Sequence, residues 1–274
     1  MTPRVFLGTC SWKYPSWHGL VYSEHAERNY LAEYSKKFRT VEIDQWFWSL
    51  FPPGKSGIVK PRLPEVATAD EYSQSVDSEF RFSIKVPNSV TLTHFYRKDK
   101  EGQPVVNPRF LSPELLSEFL TRIGALRPQT LALMLQFEYL NRQKMSSLSG
   151  FLEKLGTFAD RLPDAWPFAV EVRNPNYLRA ELFSFLEERG IAPVFCEGYY
   201  MPPITQVYAE FGHLVKRSAI IRLMGPDREG IEKKTSEKWD RVVASKDDYL
   251  PEIAEMMRDM VRRGLQVVVN VNNH

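Results

Sequence analysis

The sequence predicts an α/β protein of one domain, residues 1–274, folded as a closed (β/α)8 barrel. Three observations predict it. Eight short segments rich in β-branched and aromatic residues alternate with helical patterns along the chain. Strands joined by helical crossovers run parallel and are covered on both sides, and eight of them favour closure over an open doubly wound sheet. Within most of the strands, apolar residues hold one parity and polar residues the other, as a barrel with a polar interior requires.

The elements follow in order. "RVFLGTCS" (4–11) is the first strand, and a helical pattern over 24–38 leads to the second, "TVEID" (40–44). A long segment with several Pro and Gly residues, 49–64, precedes helix 65–77 and the third strand, "FRFSIKVP" (80–87). A second such segment, 96–111, follows; alternation resumes after each, so both read as elaborated loops and not as domain linkers. Helix 112–127 opens on Ser112-Pro113-Glu114, an N-cap, a proline at the first helical position and an early acid. The fourth strand is "TLALMLQFE" (130–138), then helix 145–162, then "FAVEVRN" (168–174). Helix 177–190 ends in "EERGIAP", where Gly190 stops the helix and the sixth strand, "APVFCE" (192–197), begins directly. A helical turn within 203–214, the strand "AIIRLMG" (219–225), a helix over 235–263 and the strand "LQVVVNVNN" (265–273) complete the series. No helical pattern follows within the 274 residues, so the expectation is either a further C-terminal segment that supplies the last helix or a barrel that closes on an uncovered eighth strand.

Totals narrow the function. The 36 basic and 34 acidic residues leave a formal charge of +2, which gives no support to nucleic acid or an anionic membrane surface as a partner. Cys10 and Cys196 are too few for a disulfide framework and read as free thiols in a reducing compartment. The N-terminus lacks the apolar stretch of a secretory signal, and no apolar run approaches the length of a membrane span. A cytoplasmic location is expected.

Parity then sorts the polar residues. Glu42 and Asp44 oppose Val41 and Ile43; Ser83 and Lys85 oppose Phe82 and Ile84; Gln136 and Glu138 oppose Leu135 and Phe137. Glu171 and Arg173 oppose Val170 and Val172, Arg222 lies between Ile221 and Leu223, and Asn270 and Asn272 oppose Val269 and Val271. The polar set is expected to face the interior and to line one connected cavity at the C-terminal ends of the strands, where barrel active sites lie. Buried charges cost several kcal/mol unless paired, so this gathering implies mutual pairing, water or a ligand.

In order along the chain, "GTCSWKYPSWHG", "FRTVEIDQWFWSL", "FSIKVPNSVTLTH", "LQF", "VEVRNPNY", "IRLMG" and "VNVNNH" resemble the motifs of the domain of unknown function 72 family, also called YecE-like. The resemblance spans essentially the whole chain and implies a TIM-type barrel, without bringing an assigned reaction. Carried over by position, its motif residues are Trp12, Tyr14, Trp17, Glu42, Lys85, His94, Gln136, Glu171, Arg173, Arg222, Asn270 and Asn272. The second motif departs from the family pattern of an asparagine and a Thr-Phe-Tyr run: here Asp44 precedes Gln45, Trp46, Phe47 and Trp48, a larger aromatic wall. The family also generally continues beyond the last asparagines into a small-residue loop and a final helix.

Glu42 and Glu171, with Lys85 and Arg173 setting them apart, have the residue types of a general acid/base pair; glycosidases, isomerases and plain salt bridges use the same pair. Lys85, Arg173 and Arg222 at one mouth favour an anionic ligand such as a phosphate ester or carboxylate. "MGPDREG", after the seventh strand, stands where barrel phosphate sites often form and equally reads as an ordinary turn. Trp12, Trp17, Trp46 and Trp48 offer either stacking faces for a sugar or base ring or a hydrophobic core, with Trp12 and Trp46 taken as ligand contacts. Gln136, Asn270 and Asn272 are expected to orient the ligand, and His94 is the best single histidine. His18, His25, His94, His213 and His274 show no metal-binding spacing, so no metal site is assigned, and no P-loop, dinucleotide glycine pattern or Ser-His-Asp arrangement identifies a cofactor or a hydrolytic triad. Two readings stand. One is an enzyme, a hydrolase, lyase or isomerase, using acid/base chemistry on a small anionic, phosphorylated or sugar-containing substrate. The other is a noncatalytic binder of an anionic ligand or a nucleic-acid segment.

Overall fold

The structure, a computed structural model, describes residues 5–24, 29–51, 60–98, 103–198, 200–225, 228–236 and 238–272. Strands β1 (Val5–Thr9), β2 (Thr40–Ile43), β3 (Arg81–Lys85), β6 (Thr130–Gln136), β7 (Phe168–Glu171), β8 (Ala192–Glu197), β9 (Ser218–Leu223) and β10 (Gln266–Val271) close into one barrel in that order. Every neighbouring pair is parallel, β10 joining back to β1. The remaining strands, β4 (His94–Lys98) and β5 (Pro104–Val106), pair antiparallel outside the barrel, between β3 and the helix that leads to β6.

Helices α1 (Tyr30–Ser35), α2 (Val66–Gln74), α4 (Pro113–Arg122), α5 (Leu148–Ala159), α6 (Ala180–Glu188), α7 (Ile204–Phe211) and α9 (Leu250–Arg262) form the crossovers, with a single turn, α3 (Asn88–Thr91), after β3. The capping signals read at Ser112 and Gly190 act as expected, and Ser147 adds a cap that was not singled out in the sequence. Ser112 Oγ accepts from Leu115 N at 3.2 Å and Ser147 Oγ from Gly150 N at 3.1 Å, starting α4 and α5. Gly190, at φ +65°, turns the chain out of α6.

Two expectations are corrected. The helix read over 235–263 is helical only in its second half, α9 (Leu250–Arg262), with Pro251 in its first turn; a separate helix not expected from the sequence, α8 (Arg228–Thr235), ends as that range begins, where Ser236 takes a positive φ. Between α8 and α9, Val242 and Val243 are exposed, so they offer no buried apolar face on which a helix could pack against the barrel. The segment 96–111 holds most of the small hairpin of β4 and β5 as well as loop. Residues 52–59 of the other elaborated loop lie outside the described residues.

Outward-facing strand residues such as Val41, Ile43, Phe82, Ile84, Leu133 and Val170 pack beneath the helices in one apolar core; Ile221, Val267 and Val269 pack beneath α7 and α9 in another. On β1 the outward Val5 and Leu7 remain exposed, and β10 is the last element among the described residues. Inside, the barrel floor is a plug of Phe6, Ala132, Met134, Ala169, Ala192, Val194, Ile220 and Val268. These residues are register neighbours around the sheet, with Phe6 beside Val268, Val268 beside Ile220, and Met134 beside Ala169. The next inward residue on each strand lies two positions on, roughly 6–7 Å nearer the C-terminal mouth. There the chemistry changes.

Closure also needs a gap in the side-chain layer. A Cβ on Gly8 would lie 2.0 Å from the Thr40 carbonyl oxygen, so β1 and β2 approach as they do only because residue 8 is glycine.

Candidate functional site

The layer above the plug contains Gly8, Glu42, Ser83, Gln136, Glu171, Cys196, Arg222 and Asn270; register pairs Gly8 with Asn270, Asn270 with Arg222, Arg222 with Cys196, and Gln136 with Glu171. Arg222 is fully buried at its centre. Its Nε and Nη2 donate to the two oxygens of Glu42 at 2.8 and 2.9 Å, a bidentate fork, and its Nη1 donates to Glu171 at 2.7 Å and to Gln136 Oε1 at 3.3 Å. Glu171's other oxygen accepts from Arg173 Nε at 2.6 Å, and Lys85 Nζ lies 3.5 Å from Glu42. The opposite charges that end β7 are thus ranks of one network: Glu171 below and fully buried, Arg173 above and 16% exposed at the mouth.

Burial alone would raise the Glu171 carboxyl, but Arg173, then Arg222 and Lys85, outweigh it and hold it down at about 2. It is an ionised counter-ion at any physiological pH. Asp44, one inward step above Glu42, behaves in the opposite way. Burial first, then the charge of Glu42, raise its carboxyl to about 6, against the smaller pull of Lys85 and Arg222. Asp44 has no ion-pair partner among the described residues, although Tyr14, whose hydroxyl is itself raised by burial and by Asp44, lies nearby. Parity puts Asp44 on the inward face; nothing in the sequence marks it as the carboxylate left unpaired.

The thiols are passive. Cys10 Sγ lies 3.7 Å from Glu42 and accepts from Arg222 Nη2 at 3.8 Å, and burial followed by Glu42 pushes it far above an ordinary thiol. Burial, then Glu171, push Cys196 up to about 12.

The structure therefore gathers Glu42, Lys85, Gln136, Glu171, Arg173, Arg222 and Asn270 in one place. They do not line a single open cavity, because Glu42, Glu171, Arg222 and Asn270 are sealed at 0% exposure and only the upper rank meets solvent. Both amide atoms of Asn270 and the hydroxyl of Ser83 lack hydrogen-bond partners among the described residues. Asn272 stands one inward step above Asn270 and donates to Met224 Sδ at 3.6 Å.

Other residues are placed elsewhere. His94 bonds Thr93 at 3.0 Å, and Thr93 reaches Glu138, which pairs with Lys144, so His94 belongs to a separate polar cluster. Trp12 and Trp46 are 2% and 8% exposed and both press on Tyr72, edge-on at 5.1 Å and stacked at 5.7 Å. Their rings are occupied by the core, which corrects their reading as ligand contacts. Trp17 is likewise buried, its Nε1 donating to the Trp239 carbonyl at 2.7 Å. In "MGPDREG", residues 226–227 lie outside the described residues, as do His25 and His274. A small void between β8, α6 and α7, lined by Phe183, Phe195, Ile204 and Val207 among others, is apolar and separate from the charged layer. No helix among the described residues is long and apolar enough to cross a membrane.

Comparison with known proteins agrees with the motif pattern. The chain is 25% identical over 198 residues to the UPF0759 protein YecE of Escherichia coli K12, a match covering 70% of this chain and 59% of that protein. The YecE of E. coli O157:H7 matches at 24% over the same share. The chain thus spans only about three-fifths of these curated relatives. Among solved structures, a DUF72 family protein of Thermotoga maritima MSB8 superposes with a TM-score of 0.66 at 22% identity, covering 98% of this chain and 92% of that one. One of Enterococcus faecalis V583 gives 0.66 at 17%, covering 98% and 89%. These structures share the barrel fold. The sequence profile of the family described as "Protein of unknown function DUF72" matches residues 6–60 and 61–274, and the chain belongs to that family.

Proposed function

We propose that the chain is an enzyme that binds a small organic anion at the C-terminal mouth and moves a proton on it through Asp44. The observation that carries this reading is the division of labour among the carboxylates. Glu42 and Glu171 are bound up with Arg222, whereas Asp44 has no ion-pair partner among the described residues and its carboxyl is raised to about 6. Three cations, Lys85, Arg173 and Arg222, face the two glutamates, so the site carries one net positive charge while Asp44 is protonated. An anion settling beside Lys85 favours that protonated form and leaves Asp44 ready as an acid; departure of the anion releases the proton. Hydrolysis, elimination and isomerisation all use such a step. Glu42 and Glu171, first read as the acid/base pair, take the supporting role of fixing Arg222 and setting the charge of the mouth.

The second reading, binding of an anionic ligand without turnover, draws on the sealing of the deeper rank, which leaves few reactive groups within reach of a ligand. Sulfate separates the premises because its charge is constant across the range in which Asp44 titrates. Calorimetric affinity should weaken about tenfold on Lys85→Met, the loss of one charge-assisted contact. It should also weaken as pH rises through about 6, and Asp44→Asn should abolish that dependence. Affinity indifferent to both changes sinks the anion reading. With a copurifying metabolite identified by mass spectrometry, Asp44→Asn should bind but not convert it; full conversion by the variant removes Asp44 from the chemistry, and tight binding without conversion by the wild type supports the second reading.

A further inference from the structure

Trp48 is the one exposed tryptophan among the described residues, at 58%, and it follows Asp44 by four positions on the loop after β2. Exposed loop aromatics are usually mobile, but this one is framed. Phe47, Ser49 and Leu50 are buried; the Phe47 carbonyl accepts from Asn88 N at 2.7 Å, and the Ser49 and Leu50 amides donate to Asn88 Oδ1 at 2.9 and 2.8 Å. The loop backbone on either side of Trp48 is pinned to α3 while its ring faces solvent. Tyr96, 62% exposed on β4, stands beside it with ring centres 6.0 Å apart. The pair connects inward without a break. Trp48 meets Phe47 at 5.2 Å, Lys85 Nζ lies 5.2 Å above the Phe47 ring, and Lys85 reaches Glu42.

We infer that Trp48 and Tyr96 form a stacking subsite for the planar or pyranose ring of a ligand whose acidic group is held at Lys85, so that the substrate class is a ring-bearing organic anion. This rests on the anion reading above and deepens it. A large apolar ring kept in solvent on a fixed backbone loses little further conformational freedom when a ligand covers it, which is what makes a pre-organised contact effective. Stacking of a ring on an aromatic side chain is worth about 1–3 kcal/mol, or roughly 5–150-fold in affinity.

The test uses phenyl phosphate and methyl phosphate, which share the anionic group and differ in the ring. Calorimetry on the wild type should show phenyl phosphate binding at least about fivefold tighter. Trp48→Ala, a change at an exposed side chain, should cancel that advantage while methyl phosphate affinity shifts by less than about twofold, and Lys85→Met should weaken both esters alike. Equal affinities in the wild type, or equal losses of both esters in Trp48→Ala, overturn the subsite while leaving the anion reading intact. Failure of both esters to bind overturns the anion reading and this inference with it. Sedimentation guards the remaining case: a dimer that Trp48→Ala dissociates would show the rings to be covered by a second copy and would also overturn the proposal.

Discussion

Glu171→Gln tests whether the charged layer holds the barrel interior together. Glu171 is fully buried and takes one strong donor on each oxygen, Arg173 Nε at 2.6 Å and Arg222 Nη1 at 2.7 Å. Glutamine preserves the shape and one acceptor, but its amide nitrogen is a donor and must face a guanidinium that can only donate. Arg222 is left with Glu42 as its one carboxylate partner among the described residues. Removing one partner of a buried pair costs about 3–5 kcal/mol, and because the Glu42 fork survives, the loss should fall at the lower end, about 3 kcal/mol. Urea unfolding followed by circular dichroism at neutral pH measures it. Acid adds a second, signed readout. A carboxyl lowered from 4.5 to about 2 contributes stability that is fully present above pH 4.5 and lost as pH falls toward 2. The wild type should therefore lose its advantage over the variant across that interval. A deficit below about 0.5 kcal/mol at neutral pH, or a gap that stays constant down to pH 2, would refute the assignment of Glu171 as the ionised partner of Arg222.

Two further outcomes follow from the geometry. Gly8→Ala drives a Cβ into the Thr40 carbonyl, backbone that cannot step aside, and should cost about 3 kcal/mol or more in urea unfolding, whereas Gly124→Ala, with nothing within 4 Å of the added carbon, should change stability by less than about 1 kcal/mol; equal effects would sink the close-approach argument. Asp44→Asn should raise stability at pH 7.5 by up to about 3 kcal/mol and by nothing below about pH 3: a carboxyl raised from 3.8 to about 6 binds its proton more tightly in the folded chain, so its share of stability falls as pH climbs through that interval, and a variant less stable than wild type at pH 7.5 would contradict it.

What the sequence discloses is local alternation, and the barrel is largely a product of it. Val41 and Ile43 against Glu42 and Asp44, or Val170 and Val172 against Glu171 and Arg173, decide which face meets helices before any partner is known. The misses concern facts that reside in partners. "WFW" contains three rings of one chemical class, yet Trp46 is 8% exposed because Tyr72 from α2 lies across it, while Trp48 is 58% exposed because Asn88 holds its neighbours inward and leaves it outside. No pattern within the segment separates the two. The stretch 238–249 fails differently: its charged residues are compatible with helix, but Val242 and Val243 are exposed, and the bonds that fasten it run from Trp239 to Ser16 and Trp17 and from Tyr249 to Glu197 and not along a buried apolar face.

The same dependence on partners separates the three inward carboxylates of β2 and β7 by role. Glu42 and Glu171 offset the burial of Arg222, and each is lodged in bonds of 2.6–2.9 Å that a ligand would have to break to use them. Asp44 offsets nothing: its charged form is opposed by burial and by Glu42, so at neutral pH the folded chain carries it at a cost of stability. Asn270 and Ser83, whose buried side-chain polar atoms have no hydrogen-bond partner among the described residues, are further groups in the same interior that cost more than they return. Sequences that specify a fold well still violate such local rules where a site demands it. Polar groups without a compensating partner among the described residues, beside a network in which each glutamate is paired and one positive charge is left over, argue that the barrel's mouth is shaped by what it binds as well as by what holds it closed.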